Sequence, residues 1–341
     1  MKTLLLCTLA ILPLGSLAAD ISEQCLNEIS SRNLRIVVTK EAGGGHDQYA
    51  RIIARTMAAT TGARVQVSNI VGGNGSLGMQ VVAFAGEESL TLGLFERERV
   101  IHPIATTDTL DLSDFHALGI FAREPDAWVA RAGFNLDEYR GRTLVVSITD
   151  IFPAAARIGL SAESLGLSVA AVSGYSGSTD ALAAILRDEV ELSVYSLTSV
   201  LRAASSGELA PVLVLSDGPS PGYESLPYLA GPGGVVDQYS KNLDPETRAN
   251  AMGLARVTTQ LSDSIRGLFV SRLVNPNIHR CLVEVVEQVI FSEQFAVAAA
   301  NENRPIAPMT AEDARQLLLS SYELANEYQP LLTSILETML E

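Results

Sequence analysis

The chain has 341 residues, 47% hydrophobic and only 6% aromatic, the composition of an α/β protein rich in Ala, Leu and Val. Its formal net charge of −15 at pH 7 repels nucleic acid and anionic membranes at long range, which excludes nucleic-acid binding. An anion can still be bound if local backbone N–H groups hold it, and the length exceeds one comfortable core, so two domains are expected.

The first eighteen residues, MKTLLLCTLAILPLGSLA, carry one Lys, an apolar stretch from Leu4 to Leu14, and small residues at Ser16 and Ala18. This is the layout of a secretory signal peptide cut after Ala18. No other segment reaches eighteen apolar residues, so an exported protein that is not membrane-embedded is expected. Loss of Lys2 from the 24 basic groups leaves 23 against 39 acidic ones, 23 − 39 = −16. Cys7 leaves with the signal. Cys25 and Cys281 remain, and in an oxidising compartment they most simply form one disulfide, with two buried thiols as the alternative.

LRIVV (34–38) is a continuous β-branched run, the pattern of a parallel strand buried on both faces. The three glycines of EAGGGHD follow it, and then Ala50, Ile53, Ala54, Met57 and Ala58 repeat at helical spacing until Gly62. VQVSN (65–69) predicts a second strand, SLGMQVVAFA (76–85) a second helix, and LTLGLF (90–95) a third strand. The alternation restarts with strands at 128–133, 143–148, 167–175, 191–197 and 210–218, and helices near 154–165, 178–187 and 198–206. Two such runs imply two doubly wound, mostly parallel α/β lobes. Residues 218–238, dense in Gly and Pro, predict an irregular surface segment, followed by a helix to about 264. The tail is helical, with Cys281, Val285, Val286 and Val289 on one face and a further helix over 311–328.

In an open parallel sheet, ligands sit at the carboxyl ends of the strands. AGGGHD follows the first strand and VGGNGSLG (71–78) the second, so both loops open on one edge. A helix start leaves N–H groups unpaired at the positive end of the dipole, and glycines let an anion approach the backbone. Two such starts make a carboxylate- or phosphate-sized anion site. The alternative is a tight turn at Gly43–Gly45, with Asp47 capping the helix.

Enzyme readings are weak. Gly73, Gly75 and Gly78 fit GxGxxG, but after the second strand rather than the first. GYSGST (174–179) misses GxSxG, and His46 beside Asp47 does not make a triad, since neighbours in sequence need not face each other. His46, His102, His116 and His279 show no metal-ligand spacing. The expectation is no catalysis, no metal and no cofactor, with a hydrolase using His46 as the enzymatic alternative.

IVVTKEAGGGHDQYARIIARTM, VSNIVGGNGSLGMQVVA and GYSGSTDALAAILRDEVELSVYSLTSVLRAASSGELAPVLVLS together resemble the periplasmic substrate-binding proteins of tripartite tricarboxylate transporters, the Bug family. The likeness runs in order from about residue 34 to 325. It implies a two-lobed periplasmic-binding-protein clamp with two hinge crossings: residues 20–127 plus 268–341 as one lobe and 128–267 as the other. It also implies a monomer in the periplasm that captures a small organic carboxylate and delivers it to the membrane permease subunits of the transporter. A ligand sensor for a signalling partner is the alternative.

Carried over by position, the Gly43, Gly44, Gly45, His46 loop holds a ligand carboxylate through backbone N–H groups, with Asp47 beside it and help from Gly73, Asn74 and Gly75. Ser147 and Thr149 donate from the second lobe, Tyr175, Gly177 and Ser178 close the other side, and Tyr195 touches the distal end of the ligand. The chain departs from the pattern at Ala42, where relatives usually have Pro, and at His46, often Thr, which adds a pH-dependent donor. It also departs at SITDIFPAAARI, where Phe152 and Pro153 stand near the mouth and tilt the ligand toward something partly apolar.

Overall fold

Ten runs among the described residues fold as strands: β1 (Asn33–Val38), β2 (Arg64–Asn69), β3 (Leu90–Glu96), β4 (Phe115–Glu124), β5 (Asp126–Arg131), β6 (Thr143–Ser147), β7 (Ser168–Val172), β8 (Leu192–Ser196), β9 (Leu209–Val214) and β10 (Ser264–Ser271). The structure is a computed structural model that describes residues 21–86, 90–101, 110–149, 151–175 and 177–341. The expected signal segment 1–18 with Cys7, together with His102, lies outside the described residues, as do the side chains of Asn74 and Phe152.

The strands form two five-stranded sheets, ordered β2-β1-β3-β10-β4 and β7-β6-β8-β5-β9. Four strands of each run one way. β10 runs against its neighbours in the first sheet and β5 in the second. This is the doubly wound, mostly parallel α/β pair expected from the alternation, with helices packed on the sheets. Strands β4 and β10 were not legible as strands, because FHALGIFARE and SIRGLFVS mix charged and small residues into runs that are mostly or wholly buried.

The sheets locate the hinge. Glu124 ends β4 in the first sheet and Asp126 opens β5 in the second, so the chain crosses at Pro125. It returns through Ser262 and Asp263, between the helix Pro245–Leu261 and β10. Residues 264–267, assigned to the second lobe from sequence, therefore lie in the first sheet, and Asp126 and Ala127 lie in the second.

A larger correction concerns the end of the chain. The helix Gln329–Leu340, read as part of the first lobe, packs against β7 and the helical segment 151–159 of the second. Met339 and Ile335 join the apolar core of Trp128, Leu144 and Val146. Gly159 makes the seat, since a Cβ there would lie 2.2 Å from Ile335 Cγ2. Amphipathic spacing shows that a helix has a buried face; it does not say which sheet that face meets.

Cys25 and Cys281 are bonded, tying the helix Glu23–Ser30 to the helix Pro276–Ile290 across 256 residues of sequence. Among the described residues, no helix is long and apolar enough to cross a membrane.

Candidate functional site

The ends of β1, β2 and β3 meet on one edge of the first sheet, where Val38 pairs with both Asn69 and Leu94. The two glycine-rich loops that leave β1 and β2 are locked together there. Ile70 N–H donates to the Val38 carbonyl at 2.8 Å, and Asn69 Nδ2 donates to the Lys40 carbonyl at 3.0 Å. Gly73 and Gly75 have φ of +52° and +92°, in the region that favours glycine, as the chain turns into the helix Ser76–Ala83. Gly78 serves packing: a Cβ there would meet Thr39 Cγ2 at 2.9 Å and the Ile70 carbonyl at 3.0 Å.

The first loop runs into the 17-residue helix Gly45–Thr61. Its fold is fixed by Asp47, buried, whose Oδ2 accepts from Gly43 N–H at 2.8 Å and from Arg51 Nε at 2.9 Å. Burial pushes the Asp47 carboxyl up, but the Arg51 and Gly43 bonds outweigh it and hold the group below its ordinary range. Asp47 is thus occupied inside its own lobe. Gly44 caps the helix with no side-chain bond, and among the described residues the N–H groups of Gly44, Gly45 and His46 make no hydrogen bond. That is the unpaired helix start the glycines predicted.

His46 does not stand free as a donor. Its Nε2 lies 3.1 Å from Glu96 Oε1, and Glu96 is the last residue of β3. Burial lowers the imidazole's pKa although Glu96 opposes it, so the ring is neutral near pH 7 and stands beside a carboxylate. Burial also pushes Glu96 up, but His46, Lys40 and Arg157 win and hold it well below its ordinary range. No hydroxyl or thiol among the described residues hydrogen-bonds to His46.

Arg304 reaches the same helix start from the segment after the helix Glu293–Asn301. It is 5% exposed, and its Nε and Nη2 both donate to Gln48 Oε1, the former at 2.8 Å. Its Nη1 would lie 3.1 Å from a Cβ on Gly45.

On the second lobe, Ser147 and Thr149 at the end of β6 and Tyr195 on β8 line one small cavity of about 20 Å³, together with Pro153 and Arg157. Room of that size suits water rather than an organic acid. Ser147 is buried, and its Oγ has no hydrogen-bond partner among the described residues. Arg157 lies in a π-turn, Ala155–Gly159, inserted between the helices Ile151–Ala154 and Leu160–Ser164; such turns cluster at functional sites. Three expected residues fall elsewhere. Ser178 opens the helix Ser178–Leu186 behind its Gly177 cap, and neither residue lines the cavity. Tyr175 packs against the apolar cluster that includes Val129, Ala184 and Ile185, and its hydroxyl is pushed up by burial and by Glu189, near the far end of that helix.

Buried charges join the lobes. Arg157 Nε lies 2.6 Å from Asp126 Oδ2, and its Nη2 lies 3.2 Å from Glu98 Oε1 on the first lobe. Asp126 also accepts from Ser264 Oγ at 2.5 Å, so it touches both hinge crossings. Burial pushes its carboxyl up to about 7 against the pull of Arg157. Glu124 pairs with Arg266 at 3.1 Å and accepts from Thr198 N–H of the second lobe at 3.0 Å. Sequence reasoning missed Glu96, Glu98, Asp126, Arg157 and Arg304. ERER (96–99), directly after an apolar strand at its carboxyl end, was the one available signal.

No protein-family model matches the chain. A 112-residue stretch is 30% identical to the UPF0065 protein in the TAR-I ttuE-ttuC' intergenic region of Agrobacterium vitis. That alignment takes 32% of each chain, so this chain spans about a third of the length of the curated relative it matches. Solved structures cover far more. Rpa4515 of R. palustris, with adipate, is 17% identical with a TM-score of 0.69, over 90% of this chain and 98% of that one. The periplasmic binding protein BugD is 19% identical with a TM-score of 0.66, over 87% and 97%. A TctC solute-binding protein from Polaromonas is 20% identical with a TM-score of 0.59, over 87% and 99%. The fold is that of the TctC and Bug solute-binding proteins. The expected clamp is therefore observed along almost the whole described chain.

Proposed function

We propose that the protein is a periplasmic member of the Bug family, a receptor that closes over a small organic carboxylate and hands it to a tripartite-type permease without performing chemistry. The observation that carries this is the helix start at Gly44, Gly45 and His46, with its unpaired N–H groups on the edge where β1, β2 and β3 end. The buried, unpartnered Ser147 hydroxyl offers a donor from the second lobe. The relatives support the class of ligand: one neighbour was solved with adipate and MatC of Rhodopseudomonas palustris with malate.

A buried carboxylate needs its oxygens paired. Three or four charge-assisted bonds of roughly 1.5–3 kcal/mol each supply micromolar affinity, about −8 kcal/mol, after ordering costs. The test is a thermal-shift screen of the protein against aliphatic and aromatic carboxylates. A ligand at 100 times its dissociation constant adds about 2.7 kcal/mol of stability. A folded protein that no carboxylate stabilises refutes the assignment.

A further inference from the structure

We infer that Arg304 is the resident counter-charge of the first-lobe site: the ligand's carboxylate docks at the start of the helix Gly45–Thr61 as an ion pair with the Arg304 guanidinium. The inference rests on the receptor assignment above and adds a charged partner to a site built otherwise from backbone N–H groups.

Among the described residues, every buried arginine but one has a carboxyl group within ion-pairing distance. Arg157 has Asp126 and Glu98, Arg266 has Glu124, and Arg97 has Glu98 together with the carbonyls of Gln260 and Asp263. Arg304 is buried as deeply as these, yet its bonds go to one neutral acceptor, Gln48 Oε1, through Nε and Nη2. Nη1 makes no hydrogen bond among the described residues, and no carboxylate lies within ion-pairing distance. Arg202, Arg266, Tyr49 and Glu124 are the titratable groups whose charge bears on it, so two of the four add to its positive field.

A buried cation without a counter-ion carries a desolvation cost of several kcal/mol, and structures retain one where an anion completes it. Nη1 is the nitrogen that the Gln48 bonds leave for such an anion. It lies beside Gly45, at the end of a long helix whose first N–H groups are also unpaired, so fork and helix start converge on one oxyanion. Glycine at 45 lets the guanidinium pack this close to the helix start, since a Cβ there would lie 3.1 Å from Nη1.

The test uses acetate, a small monocarboxylate, against chloride at matched ionic strength, followed by isothermal titration with adipate, malate and benzoate and their neutral amides. The wild type is expected to be stabilised by acetate and to bind at least one acid far more tightly than its amide. Arg304→Gln is expected to lose acetate stabilisation and roughly ten- to a hundredfold in affinity for the acid, the worth of one charge-assisted bond. Its affinity for the amide stays unchanged, which a merely structural defect would not produce. Arg304→Lys restores part of the loss.

Should Arg304→Gln fail to fold, Gly45→Ala leaves the charge in place and sets a methyl 3.1 Å from Nη1, and it is expected to abolish the acetate effect. Acetate stabilisation that survives in Arg304→Gln, or in Gly45→Ala where that variant stands in, overturns the proposal. Acetate stabilisation that depends on Arg304, with no binding of any larger carboxylate, upholds the anion site and overturns the receptor assignment.

Discussion

Asp126→Asn tests whether the hinge carries a buried, titrating carboxyl. Asp126 is fully buried between Arg157 Nε at 2.6 Å and Ser264 Oγ at 2.5 Å, and its pKa is raised from 3.8 to about 7 because burial outweighs the pull of Arg157. A carboxyl whose folded pKa lies above its unfolded value binds its proton more tightly in the native state. Its contribution is therefore fully present below about pH 4 and is lost as pH rises through 7. Three pKa units correspond to roughly 4 kcal/mol. Asparagine keeps the shape and one acceptor but cannot ionise. Urea unfolding of both proteins from pH 4 to 8 should thus show the wild type losing stability relative to Asp126→Asn by roughly 4 kcal/mol across that window. Glu96 and Asp47, whose carboxyls are held low, act in the opposite sense in both proteins and cancel in the difference. Parallel pH curves would show that Asp126 is ionised throughout and that Arg157 wins over burial.

Gly44→Val should abolish carboxylate binding while the protein stays folded, because Gly44 has an ordinary φ of −75° and a Cβ there meets only the Glu41 carbonyl at 3.6 Å; normal affinity by calorimetry would exclude the loop from the site. Ser147→Ala should weaken ligand binding by about fivefold or more without loss of thermal stability, since it removes a buried hydroxyl that has no partner in the free protein. Reducing the Cys25–Cys281 bond, which closes most of the chain, should cost roughly 2–5 kcal/mol in denaturant unfolding, and an unchanged midpoint would count against any constraint from it. Gly159→Val should unseat the helix Gln329–Leu340 by pressing on Ile335 and Met339, read as faster proteolysis of residues 329–341.

Strand ends and glycine loops were readable because their causes are local. A β-branched run followed by glycines and an amphipathic segment defines a strand, a turn and a helix start within twenty residues, and Gly44–His46 stands where that pattern put it. Ser147, Thr149 and Tyr195 also meet at one cavity, since each sits at the end of a strand of the same sheet. Glu98 and Arg157 were out of reach for the opposite reason: they are 59 positions apart and meet only once two lobes fold against each other. Arg304 is less legible still. It follows the helix Glu293–Asn301 in a segment without periodicity, and what makes it notable is that no acid among the described residues pairs with it, which spacing cannot show. The missed strands β4 and β10 share this logic, for each carries into the interior a charge whose partner lies on the other.

The way charges are shared out also suits a clamp. Glu98 and Arg157 span the lobes with side chains only 2% and 9% exposed. Opening the cleft would separate them, but each would regain water, and that hydration offsets most of the lost attraction. Such a bridge orients the lobes without locking them. Glu124, by contrast, pairs with Arg266 inside one sheet and accepts from Thr198 N–H at the hinge itself, where opening moves atoms least. The permanent pairs thus lie along the crossing strands, and the one buried arginine among the described residues that has no acid within ion-pairing distance stands at the start of the helix Gly45–Thr61. On the proposed reading, an anion paired with Arg304 is held by the first lobe alone, so the differential interaction that would drive the hinge has to come from second-lobe donors such as the Ser147 hydroxyl.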